Sequence, residues 1–213
     1  MGLKGRNALA AGGLLGAALV LVYSVVANRE GGRQLSGQAL VMPPRASASA
    51  APAPVSFMVV ASGDVLIHPA LTEQAMADSG TAVPDFGPLL SGVAPVVSAA
   101  DLALCHLEVP LAEPAGPYAG YPSFNAAPQV VTALAETGYD SCSTASNHTL
   151  DQGRRGVLRT LDALDAAGLA HTGSARSALE AARPLIHDLG VARVAQISFT
   201  YGYNGLELPP DAP

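Results

Sequence analysis

The sequence predicts an α/β fold with a mostly parallel sheet flanked by helices. Short apolar runs, such as residues 57–61 and 101–107, are typical of buried parallel strands. Amphipathic helical patterns alternate with these runs, as they do when each strand is followed by a crossover helix. Polar residues stand directly after several runs, where open α/β sheets bind their ligands.

The first 28 residues predict a cytoplasmic tip and a transmembrane helix. Residues 8–27 are twenty residues without a charge, preceded by Lys4 and Arg6. At 1.5 Å per residue such a helix spans about 30 Å of hydrocarbon. The basic flank orients the N-terminus towards the cytoplasm, so the remainder of the chain is exported. The alternative is a signal peptide cleaved after Val25-Val26-Ala27, which would make the protein secreted.

Residues 29–56 predict a linker, and residues 57–213 predict the folded domain. Between Pro43 and Ser56, twelve of fourteen residues are Ala, Ser or Pro, a composition that favours an extended spacer. The domain contains sixteen acidic residues, six arginines and no lysine, a formal charge of −10. Such a charge excludes nucleic acid as a partner, because nucleic acid binding requires a basic face.

The domain's pattern predicts its elements in chain order. They are a strand over 57–61, helices over 69–78 and 86–100, a strand over 101–107, a loop over 109–123, a helix over 127–137, and a strand that starts near Tyr139 and ends at Ser146-Asn147-His148. A helix over 153–167, a strand over 169–172, a short helix over 175–182 and two strands over 184–188 and 191–199 follow. Proline at position 69 is typical of a helix start, and Gly138 and Gly168 are typical helix stops.

The two cysteines, Cys105 and Cys142, both lie in predicted strands. We expect them to be free and buried, because two strand positions seldom satisfy the geometry of a disulfide. A bridge is the alternative, since an exported domain is in an oxidising compartment.

Polar side chains at three strand ends predict a site. Asp64 follows the first strand, Glu108 follows the second, and Asn147-His148 ends the third. Because the carboxyl ends of parallel strands share one edge, these residues converge. Carboxylates, an asparagine oxygen and an imidazole are suitable ligands for Mn, Mg, Fe or Zn. Asp151, just before a helix, is interpreted as a helix cap.

The same residues carry a family resemblance over about residues 57–206. The matching segments are Ser62–Leu66, Asp101–Glu108, Phe124 with Pro128, Ser146–Gly153, Thr160–Leu164, Gly173, Phe199–Gly202 and Asn204-Gly205. As a set they resemble the CapA family of poly-γ-glutamate capsule biosynthesis proteins. The resemblance implies a layered fold like that of calcineurin-like metallophosphoesterases. It also implies metal-ligand positions for Asp64, Glu108 and Asn147, and a substrate-orienting or protonating role for His148.

The sequence departs from the family pattern in three places. Ser146 and His106 replace asparagines that the family commonly has before Asn-His and Leu-Glu. His106 is interpreted as a hydrogen-bonded strand-end residue, with a role as an added ligand as the alternative. The family's later His-Trp-Gly and Gly-His-x-x-His-like segments do not occur before Pro213. We therefore expect that the domain is incomplete at its C-terminus and that this chain is inactive alone.

Two functions follow from these observations. The first is a membrane-anchored, extracytoplasmic CapA-like protein with a metal-dependent phosphoesterase-type site, which serves capsule or envelope polymer biosynthesis. The second is a non-catalytic anchoring or polymer-binding subunit of a poly-γ-glutamate synthesis and export complex. An anionic polymer or phosphoester would be repelled by the −10 domain unless cations bridge the two, so both functions depend on metal.

Overall fold

The computed structural model describes residues 54–212 as an α/β domain. Its strands are β1 Val59–Val65, β2 Leu102–Leu107, β3 Ser141–Ser143, β4 Ala170–Thr172, β5 Leu185–Asp188 and β6 Arg193–Gln196. Its helices are α1 Pro69–Ser79, α2 Gly87–Leu90, α3 Ala94–Val97, α4 Gln129–Thr137, α5 Gly153–Ala166 and α6 Ala178–Ala181. β1 to β4 form a parallel sheet in sequence order, and β5 and β6 form an antiparallel hairpin. The predicted α/β class with a mostly parallel sheet is confirmed.

The predicted membrane span over residues 8–27 and most of the linker lie outside the described residues. Among residues 54–212, no helix combines the length and the apolar character that a membrane crossing requires.

The central strand β2 is buried along its whole length. Its alternating side chains face opposite ways, so the two faces of the sheet have separate cores. Ala103, Cys105 and Leu107 pack in the cluster that contains the buried apolar residues of α1, α3, α4 and α5. Leu102 and Leu104 pack instead against Val194 of β6. The sequence predicted helices on both faces, but in the described part the hairpin covers the second face.

Three elements differ from the predicted ones. β3 ends at Ser143, so the predicted strand end at Ser146-Asn147-His148 was wrong, and Asn147 and His148 lie in the turn before α5. The predicted helix over 86–100 is divided into α2 and α3, each with a proline in its first two positions. Proline lacks an amide hydrogen and is best accommodated at a helix start, so Pro88 and Pro95 each begin a new short helix. β1 runs on to Val65, so Asp64 lies inside this strand and not after it.

The cysteines form a disulfide, so the prediction of two free thiols was wrong. Cys105 and Cys142 are direct partners in the register between β2 and β3, and their Cα atoms are 4.4 Å apart. The sequence does not reveal this register, which decides whether two strand positions can be bridged. The bridge joins the two central strands one residue before His106 and Ser143, which are also register partners.

Candidate functional site

The carboxyl ends of β1, β2 and β3 bring the predicted carboxylates and histidines to one edge of the sheet. Asp64 is the register partner of His106, because an irregularity between Ala61 and Asp64 shifts the pairing of β1 with β2. Glu108 follows directly after β2, and Asn147 and His148 lie in the turn between β3 and α5. This edge is where parallel α/β sheets bind their ligands.

His106 is held between two neighbouring strands. Its Nδ1 atom lies 2.8 Å from the Ser143 hydroxyl, and its Nε2 atom lies 3.9 Å from an Asp64 carboxylate oxygen. Burial lowers the pKa of His106, opposed by the charge of Asp64 and the hydrogen bond with Ser143. His106 is thus a hydrogen-bonded strand residue, as the sequence predicted, and its role as an added ligand stays a prediction.

Glu108 is a buried carboxyl group with an unsatisfied oxygen. The residue is 8% exposed, and its Oε2 atom has no hydrogen-bond partner among the described residues. Burial raises the pKa of Glu108 to about 7, helped by the charge of Asp64, a hydrogen bond with Asp64 and the charge of Asp151, and opposed by His148. An acidic group in this state is stabilised by either a proton or a bound cation.

His148 and Asp151 form a buried pair. The His148 Nδ1 atom lies 2.7 Å from Asp151 Oδ2, and the Phe124 amide donates to the same oxygen at 2.7 Å. The interpretation of Asp151 as a helix cap was wrong, because Gln152 is the N-cap residue of α5 and no side chain caps it. The carboxylate instead accepts the Nδ1 proton of His148. This fixes the tautomer in which Nε2 is free for other partners.

Asn147 is exposed beside this pair and contacts a distant loop. Its Nδ2 atom donates to Asn204 Oδ1 at 3.0 Å, and its Oδ1 atom accepts from the Ser146 hydroxyl at 3.2 Å. Asn204 Nδ2 also lies 3.2 Å from His148 Nδ1. Asn147 therefore lies beside His148, while its hydrogen bonds do not include Asp64 or Glu108.

An aromatic ring packs against the buried pair. Phe124 is 1% exposed and meets the His148 ring edge to face, with centroids 4.7 Å apart. The His68 ring packs against the same phenyl ring, with the ring centroids 5.1 Å apart. His68 is the N-cap residue of α1, which begins at Pro69 as the sequence predicted. The phenyl ring restricts the orientation of His148, so Phe124 supports the site without taking part in its polar chemistry.

Three contributors were not identified from the sequence, namely Asp151 as a partner of His148, Ser143 and Asn204. A carboxylate three residues after a histidine in a turn was the one local signal, and it pointed to Asp151. The metal-ligand prediction for Asp64, Glu108 and Asn147 stays a prediction. Within residues 54–212, no three His, Cys, Asp or Glu side chains are grouped to hold a metal ion.

The fold and site define an α/β protein with acidic and imidazole groups at the carboxyl edge of a parallel sheet. A family model described as bacterial capsule synthesis protein PGA_cap matches residues 58–211. Because the match covers most of the chain, the protein belongs to this family, and the predicted CapA resemblance is confirmed. Membership assigns it to capsule or poly-γ-glutamate biosynthesis. No curated protein matches the chain.

Proposed function

We propose that this chain is a membrane-anchored, extracytoplasmic capsule biosynthesis protein whose sheet edge is a cation-dependent, phosphoesterase-type site. The anchor is the apolar segment over residues 8–27. The site consists of Asp64, Glu108 and Asn147 as cation ligands, with His148 beside them. The fold is interpreted as metallophosphoesterase-like, as the family resemblance implies.

The observation that carries the proposal is the unpartnered oxygen of Glu108. A buried carboxyl oxygen without a hydrogen bond is costly unless a ligand satisfies it. Asp64 lies close enough to raise the pKa of Glu108 and is half exposed, so the pair has an opening to solvent. Two carboxylates and an amide oxygen form a hard oxygen donor set, which fits Mn, Mg, Fe or Zn.

His148 supplies the proton chemistry of the proposed site. Asp151 holds the Nδ1 proton, so Nε2 accepts a proton or, when charged, donates one to a phosphoryl or leaving-group oxygen. Burial of both side chains fixes this orientation before substrate arrives. A bound cation would supply charge neutralisation for an anionic substrate and would lower the pKa of a bound water.

Cation binding tests the proposal on the full chain in detergent. We expect Mn²⁺ titration by calorimetry to show a site that Glu108→Gln and Asp64→Asn weaken at least tenfold. Asp211→Asn is the matched control, because Asp211 is an exposed aspartate in an ion pair with Arg154. Binding equal in Glu108→Gln and the wild type, or no binding of Mn²⁺, Mg²⁺, Fe²⁺ or Zn²⁺, contradicts the proposal.

Phosphate binding tests the phosphoesterase character separately from turnover. Binding depends on the residues that contact the ligand, so it reports on His148 and Asn147 directly. In the presence of Mn²⁺, inorganic phosphate should bind, and His148→Ala and Asn147→Ala should each weaken it. Phosphate binding unchanged in His148→Ala would remove His148 from the site.

The alternative is a non-catalytic anchoring or polymer-binding subunit of a poly-γ-glutamate synthesis and export complex. It is favoured by the apolar segment over residues 8–27 and the Ala/Ser/Pro-rich linker, which supply an anchor and a spacer. This function predicts Mn²⁺-dependent retention of poly-γ-glutamate without phosphate binding. Retention that Glu108→Gln leaves intact would point to a different surface for the polymer.

A further inference from the structure

Asn204 connects a loop near the end of the described residues to the candidate site. It stands 57 residues after Asn147 in sequence, yet its Oδ1 atom accepts from Asn147 Nδ2 at 3.0 Å. Its Nδ2 atom lies 3.2 Å from His148 Nδ1. One side chain thus contacts both Asn147 and His148, and it comes from an element whose sequence pattern carried no assigned role.

The backbone around Asn204 has a simple explanation that does not involve the site. Asn204 has φ of 52°, the one positive value among the non-glycine residues over 54–212, and Gly205 follows with φ of 81°. The Leu206 amide donates to Tyr203 O at 2.9 Å and closes the turn. Two successive positive φ values are those of a type I′ turn, in which Asn-Gly is the favoured pair. The turn alone therefore explains an asparagine here, but not the direction of its side chain.

The side chain of Asn204 determines which way the Asn147 amide faces. An amide presents a donor on one side and an acceptor on the other. Because Asn204 Oδ1 holds the Asn147 nitrogen, the Asn147 oxygen is left to its second partner, the Ser146 hydroxyl, at 3.2 Å. That oxygen retains a lone pair, and it is the atom that an asparagine ligand offers to a cation.

We propose that Asn204 is a positioning residue that fixes the Asn147 amide with its oxygen available as a ligand. The inference rests on the proposed cation site for its consequence, although the orientation of Asn147 is independent of any cation. Partners that orient ligands in this way change metal affinity by about 10- to 100-fold when they are removed.

The turn geometry provides a clean set of variants. Asn204→Gly keeps the positive φ without strain and removes the side chain. Asn204→Asp keeps an oxygen acceptor for Asn147 and removes the Nδ2 donor. Tyr201→Ala is the matched control, because it truncates a fully exposed side chain in the same loop. If Asn204 served only the turn, its replacement by glycine would leave the Asn147 amide unchanged, because glycine adopts a positive φ without strain.

The first measurement is made on the full chain in detergent micelles with EDTA present. Nuclear magnetic resonance follows the Asn147 side-chain amide, assigned by its loss in Asn147→Ala. We expect its hydrogen exchange to accelerate at least tenfold in Asn204→Gly and to stay within threefold of the wild type in Asn204→Asp and Tyr201→Ala. An unchanged Asn147 amide in Asn204→Gly overturns the proposal.

The second measurement is Mn²⁺ affinity by calorimetry in the same variants. We expect about tenfold weaker binding in Asn204→Gly, binding at or above the wild-type level in Asn204→Asp, and binding within twofold in Tyr201→Ala. Wild-type affinity in Asn204→Gly overturns the positioning role. If the wild type binds no Mn²⁺, the proposed function fails, and the exchange measurement still decides whether Asn204 orients Asn147.

Discussion

The Asp151 carboxylate is a buried acceptor for two donors from different parts of the chain. Its side chain is 3% exposed, and one oxygen lies 2.7 Å from both the Phe124 amide nitrogen and the His148 ring nitrogen. The first contact holds the loop that contains Phe124, and the second holds the histidine. The packing of Phe124 against His148 therefore depends on the same carboxylate.

We predict that Asp151→Ala lowers the free energy of unfolding by about 1–3 kcal/mol, because it leaves the buried Phe124 amide without an acceptor. Urea denaturation of the full chain in detergent measures the change. Asp211→Ala is the control, since the Asp211–Arg154 pair is exposed and contributes less than about 1 kcal/mol. Equal losses in both variants would show that Asp151 has no special structural role.

The protonation of Glu108 predicts a pH dependence of stability. Its pKa rises from 4.5 to about 7 on folding, so between these values the folded state binds more protons than the unfolded state. The free energy of unfolding therefore falls as pH rises from 4.5 to 7, by at most about 3 kcal/mol from this group. This fall in the free energy of unfolding should be absent in Glu108→Gln.

Denaturation in EDTA at a series of pH values tests this dependence. Glu113→Gln is the control, because Glu113 is an exposed carboxyl group in the same region and should leave the wild-type slope intact. If Glu108→Gln and the wild type have the same slope, burial of Glu108 does not govern it.

At the scale of elements, α5 is hydrogen-bonded to the loop that follows Glu108. The Thr160 hydroxyl accepts from the Leu111 amide at 2.9 Å and donates to Gly156 O at 2.8 Å, and both Thr160 and Leu111 are buried. This contact joins the helix after His148 to the segment after Glu108. The hydrogen bond therefore stabilises the position of the segment that contains Glu108 relative to the helix that follows His148.

We predict that Thr160→Val destabilises the fold by about 1–3 kcal/mol, because the buried Leu111 amide loses its acceptor while the shape of the side chain is kept. Thr137→Val in α4 is a matched control. The Thr137 hydroxyl is also buried but only donates to Ala133 O, so its replacement should cost less than about 1 kcal/mol. Thermal unfolding of the two variants side by side tests the difference.

Elements with a strong local pattern could be predicted from the sequence. β2 was predicted over 101–107 and observed over Leu102–Leu107, and α5 was predicted over 153–167 and observed over Gly153–Ala166. β2 is a continuous apolar run and α5 has a helical hydrophobic period, and both patterns can be recognised without knowing the neighbouring elements. Other contacts join residues that are distant in sequence. Asp151 contacts Phe124, 27 positions away, and Cys105 is bonded to Cys142, 37 positions away. Strand register and loop packing determine such contacts, and a single sequence does not reveal them.

At the scale of the whole molecule, the disulfide is of the kind that an exported domain can keep, while export itself stays a prediction. Disulfides persist in oxidising compartments and are rare in the cytosol. Cys105 and Cys142 are 2% and 0% exposed, so the bridge lies within the core. Its 37-residue separation encloses the segment with Glu108 and Phe124, and cross-linking a loop of that size restricts the unfolded chain.

We predict that replacing both cysteines by alanine lowers the free energy of unfolding by about 2–4 kcal/mol. Denaturation with and without dithiothreitol measures this, and the reductant should destabilise the wild type but not the double variant. Alkylation of protein taken directly from the producing cells, followed by mass spectrometry, shows whether the bridge is present there. Two alkylated cysteines in the native membrane fraction would contradict export to an oxidising compartment.

The bridge also makes this chain a convenient object for site-specific labelling. The sequence contains two cysteines, and the disulfide uses both, so the folded protein offers no thiol to a maleimide reagent. A single cysteine introduced at exposed Tyr201 would then accept one fluorophore beside the Asn204 turn. The emission of that fluorophore would report loop movement upon cation binding.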